Sequence, residues 1–80
     1  MTLSEAKDGQ WLLVERTLND EITYQALRFG IGEGSKIQVQ KNIPGGPIII
    51  SKNHLEIAIG RQLANFIEVS HSDMEGKSKR

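Results

Sequence analysis

Residues 29–47 read FGIGEGSKIQVQKNIPGGP, and this stretch decides the fold because it combines a helix end, an alternating strand and a tight turn. Gly30 predicts the end of a helix, since glycine adopts the left-handed conformation of a helix C-terminus without a Cβ penalty. Apolar Ile37 and Val39 then alternate with polar residues, which predicts a strand with one solvated face. The proline-bracketed glycines of residues 44–47 predict a turn that ends this strand.

Upstream of that stretch the sequence predicts one strand and one helix. The strand covers residues 10–16, where the consecutive apolar residues 11–14 break strict alternation. Either both of its faces are covered or a bulge shifts its register. The helix covers residues 20–29, and its apolar stripe consists of Ile22, Ala26 and Phe29. Its candidate N-caps are Thr17, Asn19 and Asp20.

Downstream, residues 48–50 and 55–59 predict a hairpin with Lys52 and Asn53 as its turn. A short helical turn over residues 60–65 and a last strand over residues 66–69 follow. Residues 70–80 contain a single sizeable apolar residue, so they are expected to form a disordered polar tail. The strand residues expected to face the core are Ile37, Val39, Leu55, Ile57, Ile59 and Ile67.

Together these elements predict the fold class. Five short strands with one helix between the first and second predict a mainly β chain, folded as a small, partly open barrel. Eighty residues make one domain, which is expected to cover residues 1–69. A domain of this size has little room for an internal cavity beside its core, so its function is expected on the surface.

Several short motifs resemble one known family. They are, in order, Leu3, Gly9, ALRFGIGEG at residues 26–34, IPGGPI at residues 43–48, and then Ala64, Ile67 and Val69. Over residues 3–69 this pattern resembles the ferrous iron transport protein A (FeoA) family. It departs from the family at Phe29, where leucine is usual, and at Glu33, where proline is frequent.

The resemblance implies an SH3-like barrel that serves as a small cytoplasmic accessory protein of ferrous iron uptake. Its implied partner is the membrane ferrous iron transporter, which carries its own guanine-nucleotide-binding domain. The resemblance does not imply whether docking activates or restrains transport, or whether the barrel associates with itself. The same fold forms the C-terminal domain of iron-dependent repressors, but this chain has no DNA-binding helix pair, which favours a free-standing module.

That kinship leaves a second function open, a domain that binds or senses a transition metal. The candidate ligands for it are His54, Glu56 and His71. Imidazole and carboxylate suit ferrous iron, but these residues follow no recognised metal-binding spacing. No cofactor is therefore expected, beyond a weakly bound divalent transition metal.

Composition excludes several other classes of function. Ten basic and ten acidic residues give zero net charge, and four aromatic residues offer few stacking platforms, so no nucleic acid is expected as a partner. The absence of cysteine excludes thiolate metal sites and fits a reducing cytoplasm. No apolar run has the length of a signal peptide or a membrane span, so no direct membrane insertion is expected.

No catalytic or nucleotide-binding motif is present in the sequence. Glycines at positions 30, 32 and 34 follow a predicted helix and precede a strand, the reverse of the order in a phosphate-binding loop. None of the serines has a histidine and an acid at a recognisable spacing. We therefore expect that the chain is not an enzyme.

A partner surface is instead predicted from exposed apolar and arginine side chains. Its helix part consists of Tyr24, Leu27 and Arg28, and its turn part consists of Ile43, Pro44, Gly45, Gly46 and Pro47. Aromatic and arginine side chains are enriched at interface hot spots, and a proline-bracketed turn is already ordered before binding. Two alternatives remain open: the helix residues cover the open end of the barrel, or the turn only fixes a hairpin.

Overall fold

The computed structural model describes residues 1–72. Its elements are a 3₁₀ turn (Leu3–Glu5), β1 (Trp11–Thr17), α1 (Asp20–Arg28), β2 (Lys36–Asn42), β3 (Ile48–Lys52), β4 (Leu55–Ile59), α2 (Arg61–Ala64) and β5 (Ile67–His71). The five strands form one antiparallel sheet in the order β4-β3-β2-β1-β5. The sheet does not close, because β4 and β5 lie at opposite edges. This confirms the predicted mainly β fold with a helix between the first two strands.

One face of the curved sheet forms the core, and the alternation of the strands places aliphatic side chains there. Ile37, Val39, Ile59 and Ile67 are fully buried, as predicted. The prediction was wrong for Leu55, which is 66% exposed, while Ile57 is only partly buried at the margin of the core. Leu55 lies on the same face of β4 as Ile57 and Ile59. It pairs with Lys52 next to the hairpin turn, however, beyond the packed interior.

Strand β1 contains a bulge, one of the two predicted alternatives, but it follows the apolar run of residues 11–14 and does not interrupt it. Its pairing with β5 shifts register between Val14 and Arg16. Leu12 and Val14 are buried whereas Leu13 is only half-buried, so the strand has one inner face. The bulge allows β1 to bend as the barrel curves.

Helix α1 begins and ends with local hydrogen bonds that its sequence encodes. Of the three candidate N-caps, Asn19 is the one used, since its Oδ1 accepts from the backbone N–H of Ile22 at 2.9 Å. At the other end the Gly30 N–H donates to Leu27 O and the Ile31 N–H to Ala26 O, the two bonds of a Schellman motif. Gly30 takes the required positive φ of 78°.

The stripe of α1 packs on the sheet less completely than predicted. Ala26 is fully buried and Ile22 packs against the core. The prediction was wrong for Phe29, which forms the C-cap and is 43% exposed. The tight helix end turns this residue away from the sheet, and Ile31 fills the core beside Ala26 in its place.

Two boundaries differ from those predicted. The β3–β4 turn consists of Asn53 and His54, one residue later than predicted, and both have positive φ, as a type I′ hairpin turn requires. Strand β5 continues through His71, so Ser70 and His71 belong to the sheet rather than to the predicted tail. Ser72 follows the strand and its N–H donates to Trp11 O at 2.9 Å, and residues 73–80 of that tail lie outside the described residues. Among residues 1–72, no helix has both the length and the apolar character needed to cross a bilayer.

Candidate functional site

The β2–β3 turn is held by one side chain from another part of the chain. The Arg61 guanidinium donates to the carbonyl oxygens of Gly46 at 3.0 Å, Ile43 at 2.7 Å and Ser4 at 3.2 Å. It also donates to Asn42 Oδ1 at 2.6 Å. No carboxylate among the described residues pairs with Arg61. This arginine therefore acts as a hydrogen-bond donor that ties α2 to the turn and to the N-terminal segment.

Asn42 extends the same network toward the N-terminus. Its Nδ2 donates to the carbonyl oxygens of Ser4 at 3.0 Å and Ala6 at 2.6 Å. Its backbone N–H donates to Asp8 Oδ1 at 2.7 Å. That hydrogen bond, with a smaller contribution from the Lys41 ammonium, lowers the pKa of the exposed Asp8 carboxyl. The result is a region, called the turn region below, in which the N-terminal segment, the β2–β3 turn and α2 are fixed to one another.

The turn itself is compact and presents the side chain of Ile43 to solvent. The Gly46 N–H donates to Ile43 O at 2.8 Å, Pro44 and Gly45 lie between them, and Gly45 has a φ of 71°. This is the pattern of a type II turn, with proline at its second position and glycine at its third. Ile43 is 37% exposed. The described structure thus fixes a hairpin and also leaves the predicted partner residue at the surface.

The outer flank of α1 exposes a larger apolar area. Tyr24 is 66% exposed and Leu27 is 59% exposed, so neither side chain covers the interior of the barrel. Glu21, Tyr24, Gln25, Arg28 and Phe29 line a shallow groove of about 460 Å³ along this flank. Leu27 lies over Gly32, whose lack of a side chain makes space for it. These residues, with Leu27, are called the helix flank below.

The helix flank and the turn do not join into one patch. Helix α1 leads through residues 29–35 to the first residue of β2, whereas the turn begins after the last residue of β2. A seven-residue strand therefore separates the two parts of the predicted partner surface. They form two distinct surfaces that one partner contacts together only if it reaches along the strand.

The metal candidates are also divided. His54 lies in the β3–β4 turn and Glu56 on edge strand β4, whereas His71 ends β5 at the opposite edge of the sheet. Across residues 1–72, no group of three or more histidine, cysteine or carboxylate side chains could hold a metal ion together. The two residues that remain close in sequence, His54 and Glu56, share the wall of a surface groove.

That groove is a feature that the sequence predictions missed. It measures about 580 Å³ and lies on the outer face of the sheet, across β1 to β4. Its floor carries Gln40, whose Nε2 donates to Ser51 Oγ at 2.9 Å and to Gln38 Oε1 at 3.3 Å. The polar residues that alternate along β2 were a signal for it, but the contribution of Trp11 depends on the strand register. Arg61 was missed as well, because nothing local distinguishes it from a surface arginine.

These features define a class of protein: a small, open β barrel with apolar side chains exposed on its surface. Comparison with known proteins specifies it further, since the model of the FeoA domain family matches residues 1–71. The chain belongs to the FeoA family. A relative from Methanocaldococcus jannaschii, named as an Fe(2+) transport protein A, is 37% identical over 79 residues, which cover 98% of this chain and 95% of the relative.

Solved structures agree with that assignment. A crystal structure of an iron uptake regulatory protein, FeoA, has a TM-score of 0.80 and 34% identity over 86% of this chain and 93% of its own. The iron(II) transport protein A from Clostridium thermocellum has a TM-score of 0.78 and 25% identity over 89% of this chain and 45% of its own. The manganese regulator SloR, 15% identical with a TM-score of 0.78 over 90% of this chain and 34% of its own, shares the fold.

Proposed function

We propose that this member of a ferrous iron transport accessory family acts in the cytoplasm, by docking on the guanine-nucleotide-binding domain of the membrane ferrous iron transporter. The observation that supports this most is the helix flank, where Tyr24 and Leu27 are exposed beside a groove. Exposed apolar side chains that do not serve the fold favour a role in binding. The proposed role is that of an interaction module without catalysis of its own.

The chemistry of the helix flank suits a protein partner. Tyr24 offers a large amphipathic ring and Arg28 a planar cation, and both residue types are enriched among interface hot spots. Glu21 adds an opposite charge at the other end of the groove. Because α1 is capped at both ends by local hydrogen bonds, the flank loses little conformational freedom on binding.

The test uses Tyr24→Ala with a matched control. Binding of the purified chain to the transporter's guanine-nucleotide-binding domain is measured by calorimetric titration. Tyr24→Ala is expected to weaken binding by at least about 1 kcal/mol, roughly fivefold, with thermal stability within a few degrees of wild type. Phe66→Ala is the control, since Phe66 is also an exposed aromatic residue, at 43%, but precedes β5. Unchanged affinity for Tyr24→Ala would refute the helix flank as the docking surface.

The turn is proposed as a second, smaller contact. Ile43 lies on a segment that Arg61 holds through the carbonyl oxygens of Ile43 and Gly46. A fixed apolar side chain adds affinity with little ordering cost. Ile43→Asp is therefore expected to weaken docking by about 1 kcal/mol while the chain still folds. Normal binding by a folded Ile43→Asp variant would limit the docking surface to the helix flank.

Guanine-nucleotide chemistry is assigned to the transporter and not to this chain. The glycines of residues 30–34 connect α1 to β2, so no helix N-terminus follows them to hold a phosphate. Labelled GDP at micromolar concentration is expected to show no saturable binding to the isolated chain. Saturable binding would overturn this part of the proposal.

Metal binding remains the competing function, and one observation favours keeping it. His54 and Glu56 line the same surface groove and together offer an imidazole and a carboxylate. Anaerobic calorimetric titration with ferrous iron separates the two functions. Tight stoichiometric binding that His54→Ala abolishes would favour a metal-binding domain. Weak or absent binding, together with docking through Tyr24, would favour the interaction module.

A further inference from the structure

The two edges of the sheet differ in how their backbone groups are used. At the β5 edge the N-terminal residues add a short cover: the Val69 N–H donates to Met1 O at 2.8 Å, and Thr2 forms a β-bridge with Glu68. At the β4 edge, no group in residues 1–72 hydrogen-bonds to the strand backbone from the side opposite β3. The β4 edge is therefore the open edge of the described sheet.

The register identifies which backbone groups of β4 point outward. Lys52 and Leu55 flank the two-residue turn, so they form a hydrogen-bonded pair. In an antiparallel ladder such pairs alternate with non-bonded ones, which makes Ser51↔Glu56 and Ile49↔Ala58 non-bonded pairs. The N–H and C=O groups of Glu56 and Ala58 therefore point away from β3, and four hydrogen-bonding groups line the edge.

This edge has almost none of the features that protect free strands. Natural sheets protect their edges with proline, lysine, bulges or covering segments. Strand β4, with the sequence LEIAI, has no proline or lysine, and its pairing with β3 runs through five residue pairs without a register shift. Glu56 is its only charged residue. Leu55 is 66% exposed and Ile57 is only partly buried, so an apolar row continues to the edge.

We propose that this edge binds a second copy of the same chain through antiparallel β4–β4 pairing centred on Ile57. Around that centre, Glu56 of each copy pairs with Ala58 of the other. All four outward backbone groups of each strand therefore gain a partner. Leu55 lies opposite Ile59 of the second copy, and the two Ile57 side chains face each other. The two sheets thus become continuous.

Charge and symmetry favour a second copy as the occupant. In the proposed register each Glu56 carboxylate lies opposite a methyl side chain, so no two like charges are directly opposed. A two-fold arrangement uses the same patch on both subunits, so the patch must be complementary to itself. Strand β4, LEIAI, meets this condition because isoleucine lies at its centre. A five-residue strand gives an interface at the small end of specific contacts, so weak, concentration-dependent association is expected.

The first test measures association of the full chain by sedimentation equilibrium, between roughly 10 µM and 1 mM, concentrations at which weak complexes form. Wild type is expected to shift from monomer to dimer across this range. Ala58→Glu places a carboxylate directly opposite Glu56 of the second copy without removing any β3 hydrogen bond, and this like-charge pair is expected to raise the dissociation constant at least tenfold. Tyr24→Ala is the matched control and is expected to associate like wild type. A wild-type chain that stays monomeric throughout would overturn the proposal.

The second test locates the interface by following individual backbone amides. In nitrogen–proton correlation spectra, the amide signals of Glu56 and Ala58 are expected to move with concentration, whereas that of Val69 on β5 stays fixed. Dimerisation that moves the α1 signals instead, and that Tyr24→Ala abolishes, would refute β4 pairing. Monomeric behaviour combined with loss of transporter docking in Ala58→Glu would assign the edge to a strand of the transporter and would also overturn the second-copy proposal. These outcomes are independent of docking through the helix flank.

Discussion

The turn region and the helix flank both present apolar side chains to solvent, but they are held in opposite ways. At the turn, Arg61 and Asn42 bind segments from three parts of the chain through backbone carbonyl groups. At the helix flank, Tyr24 and Leu27 project from a helix that is anchored mainly by Ala26 and Ile22 on its other side. The exposed side chain at the turn therefore belongs to a segment fixed by side chains from elsewhere in the chain, whereas those of the helix flank belong to a helix held from its opposite side.

The largest expected effect is on the turn region. Arg61→Ala should lower the free energy of unfolding by about 2 to 4 kcal/mol, because four acceptors lose a charged donor. The urea midpoint measures it. Arg28→Ala is the matched control on the helix flank and should change stability by less than about 0.5 kcal/mol. Equal midpoints for the two variants would remove the distinction between the regions.

A second variant tests the backbone of the turn. Gly45→Ala should destabilise by about 1 kcal/mol, because alanine at a φ of 71° is strained even though nothing lies within 4 Å of the added methyl group. Gly60→Ala is the control, since its φ is −59° and its surroundings are equally open. Thermal denaturation of both variants measures the difference. If Gly45→Ala matches Gly60→Ala, the turn is not restrained as described.

A third variant separates packing from binding at the helix flank. In Gly32→Ala the new Cβ would lie 2.5 Å from Leu27 Cδ2, so Leu27 has to rotate. Because Leu27 is 59% exposed, its rotation should change stability by less than about 0.5 kcal/mol. Docking to the transporter domain should nevertheless weaken, since the surface changes shape. A large stability loss with unaltered docking would show that Leu27 serves the fold.

The smallest expected effect is the acid dependence of the Asp8 contact. The pKa of Asp8 is lowered in the folded chain, chiefly by the Asn42 N–H, so its stabilisation is present above the ordinary value of 3.8 and is lost as pH falls through the lowered folded pKa. Asp8→Asn should therefore melt slightly below wild type at neutral pH and converge with it in acid. Glu33→Gln removes an exposed carboxylate elsewhere and is the control; it should melt like wild type at neutral pH. A gap for Asp8→Asn that persists in acid would contradict this origin.

Local sequence determined most of the elements of this protein. Alternation set the inner faces of β2 and β4, and Asn19 with Gly30 set the ends of α1, because these depend on groups a few residues apart. The motifs shared with the FeoA family likewise indicated the overall fold and the family membership. The sequence likewise identified Tyr24 and Leu27 as residues off the buried stripe, and the structure leaves both exposed.

Only the tertiary structure decided how far each element extends into the core and what holds the turns. Leu55 has the correct alternation but lies past the packed interior, and Phe29 is turned outward by the helix end. Arg61 reaches Ser4 across 57 residues of sequence, and no local pattern encodes a contact over that separation. The separation of the helix flank from the turn, and the open edge at β4, likewise follow from strand order, because pairing over long distances depends on the packing of the whole sheet.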